Sequence, residues 1–280
     1  MLPFMVGIAV TANAESVEIN GLYYELDTSS RTAKLTYQTT GTDNYASLSA
    51  NVSVPGTVTY NNVSFIVTEI ADRAFANCTS LESISIPASV TTIGTTVYNN
   101  TASLPFYNCT SLKNVRFEDG DTDLYLGASC YIYNNDSYPK GLFYSCPLEE
   151  VYIGRNINYQ NLNYYGGVYT HAGEARYYGY SAFYNQSKLS KVTIGEKVTK
   201  LPQYAFYNCS AIEDVSFGNA LISIEKYTFN GCRSLKTAML PETVTYIGEY
   251  AFYDCSNGKS QCEVCNSYRG LCILQLFQNE

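Results

Sequence analysis

Ile247-Gly248-Glu249-Tyr250-Ala251-Phe252-Tyr253-Asp254-Cys255 has two close copies just upstream. Ile224-Glu225-Lys226-Tyr227-Thr228-Phe229-Asn230-Gly231-Cys232 stands 23 residues earlier, and Leu201-Pro202-Gln203-Tyr204-Ala205-Phe206-Tyr207-Asn208-Cys209 another 23 before that. A fixed period of this length marks a repeat array, in which each unit buries its apolar face only against its neighbours. The functional question then concerns which surface is used rather than which pocket.

The cleanest unit runs from Ile70 to Thr92 and reads I-x-x-x-A-F-x-x-C-x-x-L-x-x-I-x-I-P-x-x-V-x-x. Its Leu81 to Pro87 part alternates and ends in proline, which cannot donate to a β-ladder, so it predicts a short strand with a stop. The Ala74 to Cys78 part predicts one tight helical turn. Leu112/Val115/Phe117 match Leu81/Ile84/Ile86, and so do Leu148/Val151/Ile153 and Leu189/Val192/Ile194. Ile212/Val215/Phe217 and Leu235/Ala238/Leu240 continue the series. Strands stacked about 4.8 Å apart would carry seven units along an arc of roughly 30 Å.

The I-G-x-x-A-F-x-x-C-x-x-L-x-x-I-x-I-P phrase resembles the BspA-like leucine-rich repeats of bacterial and protist surface proteins, over about Val52 to Cys255. The resemblance implies a right-handed leucine-rich-repeat superhelix of short β-strands and short helical turns. It also implies a cell-surface adhesion or recognition module with no shared catalytic motif. An extracellular protein or a glycan is the partner it suggests.

The chain has 280 residues, a net charge of −8 with both signs well mixed, 28 tyrosines and no tryptophan. That charge disfavours nucleic-acid binding, which needs a basic stripe. Leu2 to Val10 is apolar and Ala12-Asn13-Ala14 is a small-x-small pattern, so residues 1–14 read as the end of a secretory signal peptide. No later run reaches the 18 apolar residues of a membrane span. Secretion or the cell surface is the expected location. Residues 15–51 read as a β-rich cap, with two strands (Val17 to Leu26 and Ala33 to Gln38) around Thr28-Ser29-Ser30. Val52-Ser53-Val54-Pro55 already matches the repeat, and the stretch around Tyr60-Asn61-Asn62 reads as a hairpin turn. The repeats extend over 52–255. Residues 256–280 match neither the repeat nor a capping pattern and read as an irregular tail.

Six of the ten cysteines, Cys78, Cys109, Cys146, Cys209, Cys232 and Cys255, share one repeat position. Parallel side chains at strand spacing hold Cβ atoms about 4.8 Å apart, beyond the roughly 3.8 Å of a disulfide, so buried free thiols are expected. Gln186 takes the position in the fourth unit with no evident compensation. Cys262-Glu263-Val264-Cys265 has zinc-knuckle spacing, but a structural zinc site wants four ligands and the lone histidine is His171. Glu118-Asp119-Gly120-Asp121-Thr122-Asp123 resembles the start of a calcium loop. Leu124 and Cys130 stand where such a loop needs Gly and Glu, so it reads as a solvated acidic turn. Glu149 and Glu150 are adjacent on a strand and face opposite ways, which removes them as a glycosidase pair. Neither a catalytic motif nor a cofactor motif is present.

Three units are longer than the rest. Ile194 to Phe206 spans 12 residues, whereas Ile86 to Phe106, Phe117 to Phe143 and Ile153 to Phe183 span 20, 26 and 30. The additions fall near 95–102, 121–141 and 158–180, in one part of the unit, and such insertions map to one face, often the binding face. The third carries Tyr159, Tyr164, Tyr165, Tyr169, Tyr177 and Tyr178, a side chain that gives large amphipathic area at low entropic cost. Their candidate role is ligand contact; packing on one another and on the flank of the array is the alternative. The outward strand rows Ser85/Arg116/Tyr152/Thr193/Ser216/Met239 and Ser83/Asn114/Glu150/Lys191/Asp214/Thr237 form the second candidate surface, but neither row is strongly charged or aromatic, and solvated filler is the reading favoured over binding. Arg116 and Tyr152 are its large members.

Overall fold

The computed structural model describes residues 16–37, 48–94, 105–127, 131–133, 136–138, 142–159, 169–171, 174–176, 182–255, 263–266 and 272–273. The stretch read as a signal peptide lies outside them.

Six of the seven repeat strands form one parallel sheet, and the seventh, Thr237–Leu240, belongs to another. Asn51–Ser53, Ser83–Ile86, Asn114–Phe117, Glu150–Ile153, Lys191–Ile194 and Asp214–Ser216 lie side by side in chain order. The register follows the repeat: Val52 lies opposite Ile84, Ile84 opposite Val115, Val115 opposite Val151, Val151 opposite Val192 and Val192 opposite Val215. Those residues are buried, so one face of the sheet is core and the other is the pair of polar rows.

The periodicity did not reveal a second sheet, which lies on the other side of the core. Val63–Ile70, Thr92–Ile93, Leu124–Leu126 and Ile157–Tyr159 pair in parallel, and Lys200–Leu201, Ser223–Ile224 and Tyr246–Ile247 form a separate parallel set. Two-residue strands are too short for a period-2 pattern to show. Between the two sets the Asn156 side chain replaces strand pairing. Its Oδ1 accepts from Thr199 N at 2.9 Å and Lys200 N at 3.2 Å. Because Leu124–Leu126 and Ile157–Tyr159 belong to this sheet, the second and third insertions begin later than 121 and 158.

The A-F-x-x-C segment is not a helical turn, and no helix occurs among the described residues. Arg73 has φ +59° and Asn77 φ +64°, left-handed values that break a helix into consecutive tight turns. The residue before each ladder cysteine or Gln186 (Asn77, Asn108, Ser145, Asn185, Asn208, Gly231, Asp254) repeats this conformation. Asn, Asp and Gly tolerate it at least cost, which explains their prevalence there.

These turns aim the phenylalanines into the core as one stack. Phe75, Phe106, Phe143, Phe183, Phe206, Phe229 and Phe252 are each fully or nearly fully buried. Successive ring centroids lie 5.5, 5.1, 5.4, 5.1, 5.2 and 5.3 Å apart and near-parallel. Beside the stack, each ladder cysteine thiol after Cys78 donates to the phenylalanine carbonyl of the preceding rung. Cys109 reaches Phe75 O at 3.0 Å, Cys146 reaches Phe106 O at 3.1 Å and Cys209 reaches Phe183 O at 2.8 Å. Cys232 and Cys255 reach Phe206 O and Phe229 O, both at 3.4 Å. Gln186 is compensated after all, because its Nε2 donates to Phe143 O at 2.9 Å. The six ladder cysteines are free and buried. Burial pushes the Cys209 thiol up to about 12.

The N-terminal cap has three strands, Val17–Ile19, Leu22–Asp27 and Thr32–Thr36, in an antiparallel meander. Its first expected strand is split by a turn at Asn20-Gly21 (φ +53° and +82°), a two-residue hairpin signal. Thr32–Thr36 then pairs in parallel with Val63–Ile70, which covers the open end of the second sheet. Thr57–Tyr60 and Val63–Ile70 form the hairpin expected around Asn61-Asn62. The tail is not wholly irregular. Glu263–Asn266 pairs in parallel with Thr237–Leu240, with Val264 opposite Ala238, and Cys272–Ile273 folds back against it. Ladder hydrogen bonds join backbones, so a strand lacking the repeat's side-chain pattern still pairs.

Two expectations follow. Gln186→Ala should cost about 1–3 kcal/mol in chemical denaturation by leaving Phe143 O short of a donor, and Gln186→Cys less than half of that. Tyr24, Tyr159, Cys109 and Cys209 all have pKa values raised by the fold. The folded state therefore holds protons that the unfolded chain releases at high pH, so stability should fall as pH rises. The denaturation midpoint should be flat from pH 6 to 8 and drop between pH 9 and 11.

Candidate binding surface

The register places the outward rows as the alternation requires as far as Ser216 and Asp214, whereas Met239 and Thr237 lie on Thr237–Leu240, which pairs with Glu263–Asn266 instead. Ser85 lies beside Arg116, Arg116 beside Tyr152, Tyr152 beside Thr193 and Thr193 beside Ser216. Ser83, Asn114, Glu150, Lys191 and Asp214 form the parallel row. Over the first five strands the face forms a shallow depression of about 520 Å³, lined from Asn51 to Thr193.

Arg116 and Tyr152 come together here around a third residue. The Arg116 guanidinium lies 3.7 Å from the Tyr152 ring centroid, a cation–π contact. The Tyr152 hydroxyl donates to both carboxylate oxygens of Asp119, at 2.8 and 3.0 Å. Arg116 adds a long 3.5 Å contact to the same carboxylate. Burial, and then the neighbouring Asp119, raises the Tyr152 pKa above the usual phenol value. Gly195 lies under this cluster. A Cβ there would stand 2.7 Å from the Tyr152 hydroxyl and 2.9 Å from Asp119 Oδ1, so a larger residue would displace that pair.

The acidic turn does not gather its carboxylates. Asp119 faces Tyr152 and Arg116, Asp121 meets Lys197 Nζ at 2.8 Å, and Asp123 accepts from the Asn158 side-chain amide. Beneath the turn lies Arg155, which is fully buried. Its guanidinium donates to Ala88 O at 2.7 Å and Pro87 O at 2.9 Å, across the intervening strand Asn114–Phe117. Burial pulls its pKa down to about 10, and Glu118 opposes that shift. Arg155 thus ties three successive rungs together below the turn that presents Asp119. The sequence offered no sign of it, since it sits where no repeat position is defined.

The third insertion is placed only in part. Tyr159 is a core-packed residue of the second sheet rather than a loop tyrosine, in register with Leu126, which in turn lies opposite Ile93. Its hydroxyl lies near the Ala182 backbone, and burial holds the phenol well above its ordinary range. Tyr169 begins Tyr169–His171, which forms a hairpin with Glu174–Arg176. Tyr164, Tyr165, Tyr177 and Tyr178 lie outside the described residues. A second hairpin, Tyr131–Tyr133 with Asp136–Tyr138, occupies the preceding insertion. The described tyrosines of the turns stack on their own kind, as Tyr204 does with Tyr227 at 4.8 Å and Tyr227 with Tyr250 at 5.1 Å.

Parallel strands repeating at a fixed register over a phenylalanine-lined core define a leucine-rich-repeat protein. The chain belongs to the BspA type leucine rich repeat family, whose model matches residues 57–168 and 173–264. Among solved structures it is similar to a leucine rich cell surface protein from Faecalibacterium prausnitzii A2-165, with 23% identity and a TM-score of 0.51 over 90% of this chain. It spans 54% of that protein. It is also similar to the T. pallidum leucine rich repeat protein TpLRR, with 19% identity and a TM-score of 0.50 over 85% of this chain and 88% of that one. No curated protein matches the chain. Among the described residues no helix is long and apolar enough to cross a membrane.

Gly195→Ala should force Tyr152 and Asp119 apart and cost about 1–3 kcal/mol in thermal or chemical denaturation, as overpacking does. Tyr152→Phe should remove only the hydrogen bond and cost about 1 kcal/mol.

Proposed function

We propose that this chain is a non-catalytic recognition module, secreted or held at the cell surface, that binds an extracellular protein or glycan through its outward sheet face. The observation that carries the reading is the register that sets Arg116 beside Tyr152 with Asp119 behind them. An aromatic ring and a planar guanidinium held in place before any ligand arrives lose little freedom on binding. The cell-surface description of the F. prausnitzii protein supports the location, and family membership supports interaction rather than chemistry. In this reading the rungs wind as a right-handed superhelix. The Tyr164, Tyr165, Tyr169, Tyr177 and Tyr178 insertion supplies flanking contacts, and neither nucleic acid nor a cofactor is involved.

A glycan and extracellular-matrix protein array, probed with the full chain and with Arg116→Ala, tests the reading. Saturable binding that Arg116→Ala weakens at least tenfold is expected. A folded chain that binds nothing on the array would instead mark the repeats as a structural spacer.

A further inference from the structure

The chemistry of the sheet face narrows the ligand class, on the assumption that the recognition reading holds. The outward side chains of the depression are Asn51, Ser53, Ser83, Ser85, Asn114, Arg116, Glu150, Tyr152, Lys191 and Thr193, with no aliphatic residue among them. Val52, Ile84, Val115 and Val151 in the same strands face the core and are buried. Protein interfaces bind through desolvated apolar or aromatic anchors. Here the single ring already carries Arg116 on one face, at 3.7 Å. Inside the edge strand Asn51–Ser53 the strands of this face are paired on both sides, so an extended peptide cannot add itself beside Arg116. Small hydroxyl and amide groups instead offer many weak donors and acceptors to a polyhydroxylated chain.

The charges select among such chains. Asp119 is engaged by Tyr152 at 2.8 and 3.0 Å, and Ser85 donates to Glu118 at 2.9 Å. Glu150 has Lys191 at 3.8 Å. Arg116 has the opposite balance. Its side chain is 48% exposed, and among the described residues its sole ion-pair contact is one nitrogen at 3.5 Å from Asp119. Its remaining N–H donors form a fixed fork suited to a carboxylate. The depression spans five strands, roughly 19 Å at strand spacing, with Arg116 on the central one. Polar groups therefore extend on both sides of the guanidinium, which suits an acid group within a chain rather than at its end.

We infer that the outward sheet face between Asn51 and Lys191 binds a uronic-acid-containing polysaccharide, with a uronate carboxylate on Arg116 and sugar hydroxyls along the serine and asparagine rows.

The test titrates the full chain calorimetrically with galacturonic-acid oligosaccharides and with their methyl esters. A sialyllactose and a polyglutamate peptide serve as acids of other kinds. Saturable uronate binding is expected, with the ester at least tenfold weaker and both other acids weaker still. Arg116→Ala and Arg116→Lys should each lose at least tenfold while melting within a degree or two of the parent. Equal binding of ester and acid, unchanged affinity in either Arg116 variant, or tighter binding of sialyllactose or peptide would overturn the assignment. So would a folded chain that binds no uronate. If the array then returns a ligand of another class, recognition stands and the uronate assignment alone falls.

Discussion

The carbonyl of a turn phenylalanine has two donors to satisfy it: the N–H of its own rung's cysteine and the side chain of the next rung. Phe75 O takes Cys78 N at 3.1 Å and Cys109 Sγ at 3.0 Å. A buried carbonyl left short of a donor is costly, so each rung depends on its successor. The ring stack follows the same geometry, because turns that aim one carbonyl at the next rung also lay one ring over the next. Sheets, corners and outward rows are all held at the rise set by this contact. Gln186 shows that what matters is a donor, since an amide takes the thiol's place on Phe143 O.

Much of this was legible in the residues. The triplets led by Leu81, Leu112, Leu148 and Leu189 specified the register of the main sheet, because period-2 alternation with one face buried leaves no room for a slip. The same alternation placed Arg116 beside Tyr152. The second sheet escaped notice because, past Val63–Ile70, its repeat strands are two or three residues long. Asn20-Gly21 was a readable hairpin signal that a continuous apolar reading of Val17 to Leu26 overrode. Asp119 was read only as part of a solvated acidic turn, and Arg155 was not read at all. Their roles come from corners whose path depends on close backbone approach, as at Gly195, and no residue pattern encodes that. Tyr159 was misplaced by arithmetic, since counting extra residues does not say where within the gap the regular strand resumes.

The polar face and the core differ in how much variation they accept. Core positions are bound by ring stacking and by the thiol-to-carbonyl contact, so their chemistry recurs from rung to rung. Outward positions touch only their row neighbours and their corner, and they differ freely between Ser85, Arg116, Tyr152 and Thr193. Surface ion pairs such as Lys113 with Glu149 and Lys191 with Glu150 add little to stability and leave those positions open to change.

The thiol-to-carbonyl ladder also bears on how such a gene can change. Each rung presents a side-chain donor backward and a carbonyl forward, so a tandem duplication of one 23-residue unit inserts between existing copies without leaving an unmatched end. The face then lengthens by one row, and the duplicated row begins as a copy of its parent. Point substitution afterwards can diversify it while both originals keep working. Recombination between copies shortens the face just as cleanly. Array length and residue order thus become heritable variables that can drift apart from the stability of the fold.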